Sequence, residues 1–293
     1  MLTQPASLMR QIRRYPAVDL GRYRRFMVAG RQMGWVVPDF ARELAAYPQV
    51  FYLTDRDVNL HDRFQSADDR SRAVAEVLEA MRAQGHVPGW RGELYPVNRR
   101  YGDAPLLLME RAATHLFGVP SYGINVNGLV KDADGWKVWV ARRSATKQVD
   151  PNMLDLIVGG GLPHGIGVRN NLLKECAEEA GIPAEIARRA RSVSLLTLII
   201  EAPEGLRVGV QFNFDLELPA DFAPRNEDGE VAEFQLWTLD ELERNLREAD
   251  EFMYDVALAN LDLLIRLGRI GPDEPDYLDI VGHLRRPIPL SRA

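Results

Sequence analysis

The alternation of apolar and polar positions divides the chain into two stretches of different character. Residues 26–37, rich in Val, Trp and Phe, predict a strand or hairpin, residues 38–46 a helix opening with proline, and residues 50–53 another strand. Between 71 and 84 the apolar residues Val74, Val77, Leu78 and Met81 recur at helical spacing, and Gly85 supplies the stop. Residues 90–96 read as extended and 110–117 as a short helix ending at Gly118. From Tyr122 onward strands dominate. Residues 122–130 and 136–143 flank the turn-rich tetrad 132–135, which predicts a hairpin. A third apolar run covers 154–158. Residues 194–200 and 208–216, separated by a polar turn around Glu204 and Gly205, predict a second hairpin. One more strand is expected at 231–238 and a helix at 240–249. A last helix carries Val256, Leu258, Leu261, Leu264, Ile265 and Leu267, and Gly268 ends it.

The Gly, Pro and Ser of residues 118–121 mark the expected boundary between a smaller α/β accessory domain at 1–118 and a second domain at 119–293. Strands and helices of the second domain do not alternate regularly, so it reads as α+β, a mixed sheet sandwiched by helices, and not as a doubly wound fold. A length of 293 residues suits two such units, and 46% hydrophobic with 27% charged residues is ordinary for a packed chain. The formal net charge of -6 argues against bulk nucleic acid or an anionic membrane as the main partner. Arginines 10, 13, 14, 22, 24 and 25 cluster near the start, but apolar and aromatic residues interleave with them, as on the solvated face of a folded segment. Cys176 is the single cysteine, so no disulfide within the chain and no cysteine zinc cluster is available, which fits a reducing compartment. No apolar run approaches the roughly 20 residues of a membrane span, and the start lacks a signal-peptide core. A cytoplasmic protein is expected.

The most informative stretch joins Gly159-Gly160-Gly161-Leu162-Pro163-His164-Gly165-Ile166 to a helix ending Lys174-Glu175-Cys176-Ala177-Glu178-Glu179-Ala180-Gly181-Ile182. Glycines permit positive φ and close backbone approach, so a glycine turn can set carbonyl oxygens or amides against a ligand. Glu175, Glu178 and Glu179 fall at i, i+3 and i+4 and share a helix face, with Leu173, Cys176 and Ala180 largely opposite. Like charges at this spacing repel by a few tenths of a kcal/mol per pair, a cost that a divalent cation removes. Hard cations such as Mg²⁺ take carboxylate and carbonyl oxygens and keep water and phosphate oxygens in their remaining positions. Glu175 and Glu179 are expected to ligate the metal and Glu178 to complete the cluster or bind a second ion. A glycine-turn carbonyl such as that of Gly159 could add a ligand.

These residues resemble the Nudix box: Gly, five residues, Glu, seven residues, then Arg-Glu-apolar-x-Glu-Glu-x-Gly-apolar. The match starts at Gly160 and holds at Glu175, Cys176, Glu178, Glu179, Gly181 and Ile182. It departs at Lys174, which keeps the usual charge but not bidentate hydrogen bonding, and at Ile166, which replaces the loop glutamate. Further stretches are similar to one branch, the thiamin pyrophosphokinase-related Nudix proteins. They are Trp139-Val140-Ala141-Arg142-Arg143-Ser144 with Lys147, Leu154-Asp155, and Asn226-Glu227-Asp228-Gly229-Glu230-Val231. In the first half Gly34-Trp35-Val36, Trp90-Arg91-Gly92-Glu93 and Glu110-Arg111-Ala112 resemble the extra domain this branch carries. The resemblance implies an α/β/α Nudix sandwich and Mg²⁺-dependent cleavage of a small-molecule diphosphate, with Mn²⁺ as a substitute metal. For this branch it implies hydrolysis of oxidised or damaged thiamine diphosphate to the monophosphate.

Arg143 and Lys147, at a strand end before a polar loop, are the expected diphosphate clamp, with Gly160, Gly161 and His164 as further substrate contacts. For His164 an exposed loop position is the preferred reading. Glu230 or Glu233 could add an acidic group to the metal site. Isopentenyl diphosphate isomerases share the fold and use a cysteine, but Cys176 occupies the apolar position of the box and reads as a buried hydrophobe. A diphosphate-binding protein without turnover is the other alternative, motivated by Ile166. The aromatics Trp35, Phe40, Phe51 and Trp90 are expected in the core of the first domain, whose open roles are substrate shaping or contacts in a homodimer.

Overall fold

A computed structural model describes residues 6–290 except 148, 204 and 228; Glu204 of the second hairpin turn and Asp228 of the acidic loop lie outside the described residues. The chain opens with a short helix α1 (Met9–Ile12). The first hairpin follows as β1 (Arg24–Val28) and β2 (Arg31–Val36), turned through Ala29 and Gly30 at φ 48° and 71°. Proline-initiated α2 (Pro38–Leu44), β3 (Phe51–Leu53) and β4 (Asp57–Leu60) complete a sheet of order β2-β1-β4-β3, in which β4 runs parallel to β1. The pattern did not mark β4, because only Val58 and Leu60 of its four residues are apolar and buried.

Helix α3 (Ala67–Ala83) starts earlier than its apolar stripe, since Ser66 caps it by accepting the Asp69 N–H at 3.0 Å. A two-stranded sheet of β5 (Leu94–Val97) and β6 (Leu107–Glu110) follows. The helix expected at 110–117 shrinks to a single 3₁₀ turn at Arg111–Ala113. Glu110 ends β6 instead, and its carboxylate accepts the backbone N–H groups of Arg91, Gly92 and Ala112. Phe40 and Phe51 are buried in the core of this domain as expected, with the Phe26, Phe40 and Phe51 rings 4.7, 5.2 and 6.0 Å from Phe117, whereas Trp35 is buried outside it, against Leu206 and Val208 of the second half. Trp90 packs at the edge of this core under the Arg82 guanidinium.

The second half is built on seven strands: β7 (Ser121–Asp132), β8 (Gly135–Arg143), β9 (Leu154–Leu156), β10 (Val158–Gly161), β11 (Arg191–Ala202), β12 (Gly205–Glu217) and β13 (Val231–Thr238). Their path is β11-β12-β7-β8-β13, with β10 on β7 and β9 on β8. The β12–β7 pairing is parallel and the others antiparallel, which makes the sheet mixed as expected. The apolar run 154–158 is therefore two strands that part at Ile157. Helices α4 (Val168–Ala180) and α5 (Ala184–Ala187) cover one face, packing on Ile124, Val126, Phe214 and Leu216. Helices α6 (Leu239–Glu248), α7 (Tyr254–Arg266) and α8 (Tyr277–Leu284) cover the other, packing on Leu129, Val138, Leu196 and Ile200. This is an α/β/α sandwich. Leu8 and Ile12 at α1 join the second core, and Arg10 and Arg14 of the same segment bind Asp250 and the Phe252 carbonyl. No helix among the described residues is long and apolar enough to cross a membrane.

Candidate active site

Helix α4 carries the glutamates, and its own core-facing residues fix how each one points. Leu172, Cys176 and Ala180 are fully buried. At 100° per residue, Glu179 lies about 60° from the direction of that stripe, Glu175 about 100° and Glu178 about 160°. The side chains follow this order. Glu179 turns inward and accepts the Gly159 N–H at 2.8 Å. Glu175 is largely covered. Glu178 is half exposed and pairs with Lys174 at 3.1 Å, while Lys174 also reaches Glu175 at 3.3 Å. Gly181 ends the helix in the left-handed conformation at φ 61°, and the Ile182 N–H returns to the Cys176 carbonyl at 2.9 Å with its side chain buried. The Gly-apolar close of the box is thus a helix cap.

The glycine run is strand β10 and not a turn, and none of Gly159, Gly160 and Gly161 has positive φ. Close approach is what requires them. A Cβ on Gly160 would stand 2.6 Å from the Glu175 carboxyl carbon, and one on Gly161 would overlap the Tyr95 hydroxyl. Gly159 is less crowded and contributes its N–H to Glu179.

Burial pushes the Glu179 carboxyl up to about 8; the Gly159 N–H opposes this, and Asp155 and Glu175 add to it. Burial also raises Glu175, against the pull of Lys174. A small cleft beside Glu179 is lined by Arg143, Lys147, Asp155 and Glu230. Arg143 is engaged within the chain: it donates to Asp155 at 2.8 Å and to the carbonyls of Asp150 and Val149 at 3.2 and 3.0 Å, folding the loop after β8. Lys147 pairs with Glu230. Glu233 instead binds Arg142 on the outside, so of the two acidic candidates Glu230 is the one at the cleft. His164 is exposed, and its backbone N–H donates to the Leu94 carbonyl at 2.8 Å. Cys176 is inert core, its thiol pushed up to about 12 by burial and the nearby carboxylates.

Among the described residues no three His, Cys, Asp or Glu side chains are gathered closely enough to hold a cation by themselves. The donors present nonetheless fit a hard divalent ion. They are oxygens only, and a cation would compensate the charge of the buried, crowded Glu179 carboxyl once it ionises. Three groups at this site were not singled out as site residues from the sequence. Asp155 was visible as the one polar position in the run 154–158. Glu93 and Arg111 stood in the first-domain stretches carrying the family resemblance, but only folding brings them to β10.

Comparison with known proteins agrees with this architecture. A family model for a domain of unknown function (DUF4743) matches residues 5–121, and one for the NUDIX domain matches 121–257. Nudix hydrolase 20, chloroplastic, from Arabidopsis thaliana is 37% identical over 276 residues, covering 91% of this chain and 74% of that protein. Nudix hydrolase 24, chloroplastic, from the same plant is 38% identical over 269 residues, covering 91% and 73%. An uncharacterized protein of Saccharomyces cerevisiae is 34% identical over 285 residues, covering 89% and 82%. The chain belongs to the Nudix hydrolase family, whose members are hydrolases acting on diphosphate bonds and generally use divalent metal ions.

Proposed function

We propose that the chain hydrolyses thiamine diphosphate analogues, oxidised or damaged ones above all, to the monophosphate with Mg²⁺, as the thiamin pyrophosphokinase-related branch it resembles implies. The observation supporting metal-dependent hydrolysis is the inward Glu179 carboxylate, locked by the Gly159 N–H beside Glu175. The choice of a thiamine-type substrate is supported by the resemblance that runs through both halves of the chain. Glu175 and Glu179 would hold the ion, and Mg²⁺ supplies neutralisation of phosphate charge and a nucleophile from water at neutral pH. The chain's own residues prepare the site for this. The Gly159 N–H holds Glu179 in one orientation, and Lys174 bridges Glu175 and Glu178. Arg143 fixes Asp155 at the cleft, and burial keeps the Glu179 carboxyl raised, so that a bound cation would take the place of its proton. Cys176 has no access to a substrate, which disfavours isomerase chemistry.

The test is turnover of oxythiamine diphosphate, thiamine diphosphate, nucleoside, sugar and prenyl diphosphates with Mg²⁺, reading monophosphate release. Oxythiamine diphosphate is expected to be cleaved fastest, and Glu179→Gln to abolish the reaction. Cleavage of another class with none of the thiamine compounds touched refutes the substrate. Tight binding of a diphosphate without any turnover by the wild type refutes the hydrolytic reading.

A further inference from the structure

The first domain does not merely sit beside the glutamate helix: hairpin β5–β6 is fastened to the glycine strand. The Leu94 carbonyl accepts the His164 N–H at 2.8 Å, and Tyr95, 4% exposed, lies against Gly161 where any side chain would collide with it. The Tyr95 hydroxyl has no hydrogen-bond partner among the described residues, an uncommon state for a buried donor. Arg111, directly after β6, stacks its guanidinium on the Tyr95 ring at 5.7 Å and pairs through Nη1 with Glu93 at 3.0 Å. Its backbone N–H is bound by the Glu93 carbonyl at 2.8 Å, so the two residues are held as a unit. The guanidinium carbon lies 3.6 Å from the point where a Gly161 Cβ would stand, while Glu175 adjoins the neighbouring Gly160. Burial works against the Arg111 charge and Tyr95, Glu93 and Glu175 more than restore it, so the cation persists. The side chain remains 40% exposed.

The cations at the other end of the glutamate site are differently employed. Arg143 is only 15% exposed and spends its donors on Asp155 and two loop carbonyls. Lys147 is bound to Glu230. A diphosphate placed over Glu175 and the β10 glycines would meet Arg111 as a planar, charged donor that is preoriented and accessible.

We propose that Arg111, held by Glu93 and Tyr95, is a phosphate-binding residue that the first domain contributes to the active site of the second. The proposal rests on the diphosphatase reading but not on the thiamine part of it. Glu93 and Tyr95 act as positioning residues, setting the fork of Arg111 toward β10.

The test uses the full chain with Ca²⁺ and methylenediphosphonate, an uncleavable diphosphate, and measures its affinity by titration calorimetry alongside the affinity for Ca²⁺ alone and the melting temperature. Arg111→Ala should weaken methylenediphosphonate roughly 10- to 100-fold, the range of a charge-assisted hydrogen bond, while leaving Ca²⁺ binding unchanged. Arg111→Lys keeps a cation without the fork, and should recover part of the affinity while preserving the fold if the alanine variant is unstable. Glu93→Gln should give a smaller loss. Unchanged methylenediphosphonate affinity in both Arg111 variants, or a loss matched by an equal loss of Ca²⁺ affinity, overturns the proposal. A wild type that binds Ca²⁺ but no methylenediphosphonate overturns the diphosphatase reading itself, and the Arg111 assignment with it.

Discussion

The two faces of the seven-stranded sheet each bury carboxylates, and they treat them in opposite ways. On the α7 face Arg266 binds Asp215 through both terminal nitrogens, at 2.5 and 2.9 Å, and Asp262 through Nε at 2.8 Å. Arg285 and Ser194 also bind Asp262, and Asn127 donates to Asp215 at 2.8 Å. Asp215 and Asp262 are thus each answered by a cation. On the α4 face Glu179 is buried and hydrogen-bonded by the Gly159 N–H, the nearby Lys147 is paired with Glu230 and pulls on it only weakly, and Asp155 and Glu175 make its ionisation harder. Strands β7 and β12 supply both faces in alternation, with Ile124, Val126, Phe214 and Leu216 toward α4 and Asn125, Asn127, Asn213 and Asp215 toward α7. A closed ionic network holds structure together, whereas a carboxylate buried without its counter-charge marks a place that another charge is meant to enter.

The contrast can be broken from either side. The largest expected effect is that Glu179→Gln lowers kcat by on the order of 10³-fold or more, measured as monophosphate release, because an ionised oxygen donor is lost. Its fold should persist. Arg266→Met should do the reverse, destabilising the protein by about 3–5 kcal/mol in urea unfolding, since Asp215 loses its cation and Asp262 keeps only Arg285. If Arg266→Met left stability unchanged, the α7 network would not be structural.

A gentler probe is pH. The Glu179 carboxyl is raised in the folded protein, so between its ordinary value and about 8 the folded state binds more protons than the unfolded state. Metal-free protein should therefore lose stability as pH rises through that window, by up to about 1.4 kcal/mol per pH unit from this group. Saturating Mg²⁺ should flatten the slope, and so should Glu179→Gln; identical slopes in wild type and variant would refute the assignment. The smallest effect is expected at Arg142→Ala, where a partly exposed pair with Glu233 should cost no more than about 1 kcal/mol in the same urea experiment.

What could be read from the chain and what could not divides along sequence distance. The hairpins at β1–β2, β7–β8 and β11–β12, helices α3, α4 and α7 and the glutamate triad are all written in local periodicity. So, in principle, was the inward turn of Glu179 over Glu178, since helical geometry measured from Leu172, Cys176 and Ala180 ranks the three. Strand β4 and the 3₁₀ turn at Arg111–Ala113 were hidden because too few apolar positions, or a single carboxylate capturing three backbone N–H groups, decided them.

The sequence by itself determined the chemistry on offer, oxygen donors at helical spacing after a glycine run, because spacing along one helix and alternation along one strand are properties of neighbouring residues. Only the tertiary structure decided how those groups are used. It set Glu175 and Tyr95 against Gly160 and Gly161, engaged Arg143 in its own loop, and carried Arg111 from the first domain to the mouth of the second domain's site. Those outcomes depend on backbones meeting across tens of residues of chain, where the packing of two cores, not local propensity, chooses the neighbours.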